Sequence, residues 1–168
     1  GPGAVAIGAN NTANGQGALA LGNGSTANGG SAIAFGDTAN AALAGNIAVG
    51  QNSSAAAINS VALGVGARTQ QGAGNPTTGA ASLGTSVAIG NAALAANEDA
   101  VAIGDQAMAT GFHSTSIGGE SFASGTGAQA FGWQANASAQ FATAGGHQAQ
   151  AMGVRSTAFG KSSVASGP

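Results

Sequence analysis

The chain has no cysteine, no tyrosine and only three prolines, and just 5% of its 168 residues are charged. Without cysteine it has no disulfide framework, no thiolate nucleophile and no cysteine-based metal site. Its three basic residues form no cluster, so we do not expect nucleic acid as a partner. No apolar run approaches the roughly 20 residues of a transmembrane helix. Large side chains are equally scarce.

Aromatic residues make up 4% of the chain, whereas glycine alone contributes 31 residues and alanine supplies most of the 43% that count as hydrophobic. A conventional core is filled by large aliphatic and aromatic side chains. This chain must therefore either stay disordered or pack small side chains in a regular array. The periodicity of the sequence decides between disorder and a regular array.

Glycine recurs every 14 residues through most of the chain. The landmark positions are Gly8, Gly22, Gly36, Gly50, Gly64, Gly90, Gly104, Gly118, Gly132, Gly146 and Gly160. Alanine mostly stands two residues before each landmark, and large apolar residues stand one and three before it in most repeats. A spacing of two is typical of strands, whereas a helical seam needs spacings of three and four. We predict an all-β solenoid of about 11 to 12 fourteen-residue coils, stacked into parallel sheets.

The step from Gly64 to Gly90 is 26 residues, so one coil carries 12 extra residues. Counting back nine from Gly90 lands on Ala81, the alanine that other coils place five after the glycine. This places the insertion at about residues 67–78, rich in turn-forming residues. We expect it to protrude and to contribute ligand contacts through Arg68, Gln70 and Gln71.

In the strand around Ala88, the side chains of Val87 and Ile89 point to one face and that of Ala88 to the other. Neither face is polar, so both faces need burial, one inside the coil and one against another copy. We predict a homo-oligomer in which identical alanine-lined faces meet around a cyclic axis. The number of copies does not follow from the pattern.

The repeats resemble the head of trimeric autotransporter adhesins of the YadA type, whose coils follow a pattern near Asn-Ser-Val-Ala-Ile-Gly. The nearest match is Asn59, Ser60, Val61, Ala62, Leu63 and Gly64, and residues 85–90 and 99–104 follow with small departures. The resemblance implies a left-handed parallel β-roll and a homotrimer. It also implies a stalk and an outer-membrane anchor, which we expect this fragment to lack because it has no heptad segment. Gly1-Pro2 is typical of a protease-tag scar, so we interpret the chain as an excised piece.

Members of that family attach bacteria to host cells and to extracellular matrix such as collagen, and they promote self-agglutination. The resemblance therefore implies a virulence-associated adhesin on the surface of a Gram-negative bacterium. The motif linked to collagen binding is approached here only by residues 59–64. An ice-binding solenoid or a purely structural spacer is the alternative. Ice binding needs threonine at the same position of successive coils. Here that position holds Thr12, Thr26 and then Asn40, so the threonine series ends early.

Two groups of residues are candidate ligand contacts. Positions one and two after each landmark vary and should face solvent, and there Trp133 and His147 stand out. Four after the landmark, Leu94, Met108 and Phe122 should form an outward apolar stripe. The alternative, which we favour, is that these residues fill space in a groove between subunits where the strand register or curvature changes.

No catalytic, metal or cofactor site is predicted. His113 and His147 are interpreted as lone imidazoles without a second ligand at metal spacing. The acidic residues do not form the calcium-binding repeat of other solenoids. Serine is abundant, but no nucleophile elbow is present, so we do not expect an enzyme.

Overall fold

A computed structural model of the protein describes residues 1–72, 76, 78 and 84–167. The described residues form 22 short strands in two parallel sheets of eleven, and each coil contributes one strand to each sheet. None of the described residues forms a helix long and apolar enough to cross a membrane. The predicted all-β parallel solenoid of about eleven coils is confirmed.

The first sheet holds β1 (Val5–Ala9), β3 (Leu19–Asn23), β5 (Ile33–Asp37), β7 (Ile47–Val49), β9 (Val61–Leu63), β11 (Val87–Ile89), β13 (Val101–Ile103), β15 (Thr115–Ile117), β17 (Gln129–Phe131), β19 (Thr143–Gly145) and β21 (Thr157–Phe159). The second sheet holds β2 (Thr12–Ala13), β4 (Thr26–Ala27), β6 (Asn40–Ala41), β8 (Ser54–Ala55), β10 (Arg68–Thr69), β12 (Leu94–Ala95), β14 (Met108–Ala109), β16 (Phe122–Ala123), β18 (Asn136–Ala137), β20 (Gln150–Ala151) and β22 (Val164–Ala165).

Neighbouring coils pair so that equivalent residues lie side by side. Val87 pairs with Val101, and Ala88 with Ala102. In the second sheet Leu94 pairs with Met108. Each position of the repeat thus becomes a column running along the solenoid, and the side chains of one column contact each other from coil to coil.

The interior of each coil is lined by alanine and serine rather than by the large aliphatics. In one typical coil the inward residues Ser86, Ala88, Ala93 and Ala95 are fully buried within the single chain. The prediction that alanine-lined faces meet between copies is therefore wrong. Two short strands per coil enclose room for small side chains, mostly methyl and hydroxymethyl groups, so the large side chains of the first sheet must point outward.

The landmark glycines are required by backbone conformation and by the coil stacking. Gly104 has φ of 135°, which L side chains rarely adopt. A Cβ placed there would lie 2.6 Å from the carbonyl oxygen of Gly118 in the next coil. This close approach of two backbones explains why glycine recurs at the 14-residue step.

A buried polar layer crosses the interior beside the irregular coil. The hydroxyls of Ser60 and Thr69 are 2.7 Å apart, and Thr69 Oγ1 also accepts a hydrogen bond from the backbone N–H of Ala56. Asn46 Nδ2 donates to the carbonyl of Ala55 at 2.6 Å. These hydroxyl and amide groups satisfy one another where other coils carry alanine.

The insertion begins later than the sequence spacing suggests. Ala67 is fully buried, and β10 pairs in register with β8 and β12, so residues 67–70 belong to a regular coil. Thr69 holds the ladder position assigned above to Ala81, which lies outside the described residues. Of the remaining predicted insertion, residues 73–75 and 77 also lie outside them. The polar replacement of alanine by Thr69 is the reason that the spacing misplaced the boundary.

Candidate binding surfaces

A shallow groove of about 330 Å³ lies on the outward face of the second sheet. Leu94 and Met108 contribute apolar side chains to it, and Arg68, Gln70 and Gln106 contribute polar ones. Gly66 and Ala92 complete the lining, and their lack of long side chains leaves the space open. The groove offers apolar contact beside hydrogen-bond donors and one positive charge, a combination that suits part of a protein ligand.

Phe122 extends this surface by one coil. It pairs with Met108 in the second-sheet ladder, so the predicted stripe of Leu94, Met108 and Phe122 is contiguous. Met108 is 37% exposed, and the other two side chains are partly buried. Asn136 follows Phe122 in the column, and Arg68 precedes Leu94. The apolar stripe is therefore three coils long and has polar ends.

A second surface lies on the turns that follow the landmark glycines. The indole of Trp133 is 47% exposed and stacks on the imidazole of His147, with ring centroids 4.7 Å apart. Gln134 donates to Glu120 at 2.7 Å, and Gln148 donates to Gln134 at 2.9 Å. An aromatic pair thus lies beside a ladder of side-chain amides. Gln134 and Gln148 hold the same repeat position as the groove residue Gln106, two after a landmark glycine, but in later coils.

The outward face of the first sheet carries a longer apolar stripe, at one and three residues before each landmark glycine. Among its exposed members the exposure ranges from 36% at Phe131 to 76% at Phe159. Its large apolar residues are Val5, Ile7, Leu19, Leu21, Ile33, Phe35, Ile47, Val49, Val61, Leu63, Val87, Ile89, Val101, Ile103, Ile117, Phe131 and Phe159. Single scattered apolar residues are normal at a surface, whereas a contiguous stripe of this length marks an interface.

Sequence reasoning missed one cluster on the opposite turns. His113 is not isolated, because Asp99 lies beside it at 3.4 Å between Nε2 and Oδ2, and Glu98 is adjacent. The 14-residue repeat contained the information needed to find this contact. Asp99 and His113 are 14 residues apart, so they occupy the same column in successive coils.

A comparison with protein-family models finds the YadA head domain repeat along most of the chain. The matched residues are 1–25, 13–39, 47–67, 84–107, 109–135, 123–149 and 151–168. The chain belongs to the YadA head repeat family. A search of curated proteins finds no match. Membership of the YadA head family makes this chain an adhesin head, a domain that is not enzymatic.

The YadA-like motif at residues 59–64 presents alternate side chains to solvent. Asn59 lies in the turn with φ of 52°, and Val61 and Leu63 face outward. Ser60 and Ala62 are fully buried, and Gly64 has the positive φ of a landmark glycine. Three of the six motif residues, Ser60, Ala62 and Gly64, thus serve the coil itself. Of the remaining predicted contacts, Gln71 is exposed at the end of the described stretch.

Proposed function

We propose that this protein is the head of a homotrimeric adhesin on the surface of a Gram-negative bacterium, attaching it to host cells or extracellular matrix. The observation that carries the assembly is the apolar stripe along the outward face of the first sheet. The family match indicates the class of protein. The exposed apolar stripe indicates association with further copies, because association removes its side chains from water.

Three copies satisfy that need by placing the first-sheet stripes around one axis. A cyclic arrangement brings the same surface of each copy to the others, so every coil contributes to one continuous interface. Burial of apolar surface stabilises by about 25 cal/mol per Å². Because the interior of the coils holds small side chains, mostly alanine and serine, this interface is the place where the large side chains are removed from water.

In such a trimer the second sheet and the turns remain available to a ligand. The groove lined by Arg68, Gln70, Leu94 and Met108 has the mixed character of interface cores, where truncation of a few anchor side chains costs most of the affinity. Trp133 offers a separate exposed anchor. We propose the groove as the primary ligand surface and the Trp133–His147 pair as the secondary one.

Surface plasmon resonance against immobilised collagen and whole extracellular matrix tests this proposal. We expect saturable binding that weakens at least about fivefold in Met108→Ser, since the loss of an interface anchor costs over 1 kcal/mol. Gln150→Ser, in the same column of the second sheet, is the matched control and should bind like the wild type.

The purely structural spacer gives a different result. A folded protein without saturable binding to any matrix or host-cell preparation would favour the spacer and contradict the adhesin. Equal loss of binding in Met108→Ser and Gln150→Ser would remove the groove from the proposal while leaving attachment itself standing.

A further inference from the structure

The cluster of Glu98, Asp99 and His113 lies at one edge of the solenoid. Asp99 and His113 both stand five residues before their landmark glycines, in left-handed turns with φ of 51° and 55°. The backbone N–H of His113 donates to the carbonyl of Glu98 at 2.9 Å, which fixes the two turns against each other. The coil stacking therefore holds three metal-ligating side chains at one place on the surface.

The spacing of the donor atoms fits a small cation. One donor atom from each of the three side chains lies within 4.8 Å of the others. Nε2 of His113 is 3.4 Å from Oδ2 of Asp99. A tetrahedral zinc ion with ligand bonds of about 2.0 to 2.1 Å separates neighbouring ligand atoms by about 3.4 Å. Nε2 of His113 and Oδ2 of Asp99 therefore already have the separation of two neighbouring zinc ligands. A rotation of the Glu98 side chain can bring a third donor atom to the ion.

Neighbouring groups orient the two central ligands. The hydroxyl of Thr85, in the preceding coil of the same column, donates to Oδ1 of Asp99, which leaves Oδ2 directed at the imidazole. The ring of Phe112 stacks on that of His113 with centroids 3.9 Å apart and planes 17° from parallel. Hydrogen bonds to ligating carboxylates and restraint of imidazole rings are typical of metal sites.

We propose that Glu98, Asp99 and His113 bind a divalent transition metal of the zinc class. The imidazole nitrogen favours such ions over calcium and magnesium, which prefer oxygen ligands. Two carboxylates balance the charge of the ion. The side chains of Asp99 and His113 are about half exposed, so water completes the coordination. This site is independent of the ligand surfaces proposed above.

Calorimetric titration of the 168-residue protein with zinc chloride tests the proposal, with circular dichroism confirming that each variant keeps its fold. We expect one ion per chain at micromolar affinity, and at least tenfold weaker binding in His113→Gln and in Asp99→Asn. Both replacements suit the backbone, because Gln106 and Asn59 adopt the same left-handed conformation elsewhere in the chain. Thr85→Val should weaken binding about 10- to 100-fold by freeing Oδ1 of Asp99.

His147→Gln is the matched control, because His147 stacks on an aromatic ring like His113 but belongs to no such cluster among the described residues. It should bind zinc like the wild type. Excess calcium should not displace zinc, because calcium prefers oxygen ligands. Zinc binding only at millimolar concentration, unchanged affinity in His113→Gln, or equal loss in His147→Gln would overturn the proposal.

Discussion

Replacing one landmark glycine by alanine should destabilise the solenoid strongly. Gly104→Ala introduces a Cβ at 2.6 Å from the carbonyl oxygen and 2.7 Å from the carbonyl carbon of Gly118. Backbone atoms of a neighbouring coil cannot move aside without disturbing the ladder, and such overpacking costs about 1 to 3 kcal/mol. The φ of 135° adds about 1 to 3 kcal/mol of strain for an L side chain.

Alanine also restricts the unfolded chain, which offsets about 0.4 to 1 kcal/mol of that cost. The expected net loss in the free energy of unfolding is therefore about 1 to 5.5 kcal/mol. Guanidinium titrations followed by circular dichroism measure it, with all variants at one protein concentration because assembly contributes to stability.

Two further glycines separate the two causes. Gly160→Ala meets nothing within 4 Å but keeps a φ of 109°, so it should show the strain alone, about 1 to 3 kcal/mol. Gly30→Ala has neither positive φ nor a close neighbour, since its nearest atom is 3.9 Å away, and should be neutral or slightly stabilising. If Gly104→Ala were as stable as Gly30→Ala, the steric explanation of the 14-residue glycine step would be wrong.

Two other predictions concern backbone strain and the buried polar layer. Ala92 and Gly66 occupy the same left-handed turn position in adjacent coils. Ala92→Gly should therefore raise the melting temperature and Gly66→Ala should lower it, each by the equivalent of about 1 kcal/mol. Shifts of the opposite sign in a thermal melt would contradict the left-handed conformation at this position. Thr69→Val should cost about 0.5 to 1.5 kcal/mol in denaturant titration, because it removes the hydrogen bond between the Thr69 and Ser60 hydroxyls and one of the two acceptors of the Ala56 N–H. The Ser60 hydroxyl keeps its bond to the carbonyl of Ala57. The control Thr26→Val, at a partly exposed position on the second sheet, should change stability by under about 0.5 kcal/mol, and equal costs would refute the role of the polar layer.

The strand pairing could be predicted from the sequence because the repeat is strict. Equal spacing of glycine and alternation of Val87, Ala88 and Ile89 leave few arrangements other than stacked parallel strands. Alternation alone does not say which face is inside. The inward face follows only when the width of a two-strand coil is compared with the side chains, since alanine fits that space and isoleucine does not.

The sites were less predictable because they are built along columns rather than along the chain. The stripe through Leu94 and Met108 was found by comparing equivalent positions in successive coils, and the structure places both side chains in one groove. The same comparison was not applied to Asp99 and His113, so their contact was missed. The insertion boundary was misplaced because Thr69 interrupts an alanine column without interrupting the ladder.

The central claim is that the outward apolar stripe of the first sheet assembles three copies of this chain. Light scattering of the purified protein measures this most directly. We predict a mass close to three times the 15.4 kDa of one chain, and a smaller species when Ile89→Asp and Ile103→Asp place charges in the middle of the stripe. A folded, soluble monomer with the wild-type stripe exposed would contradict the account.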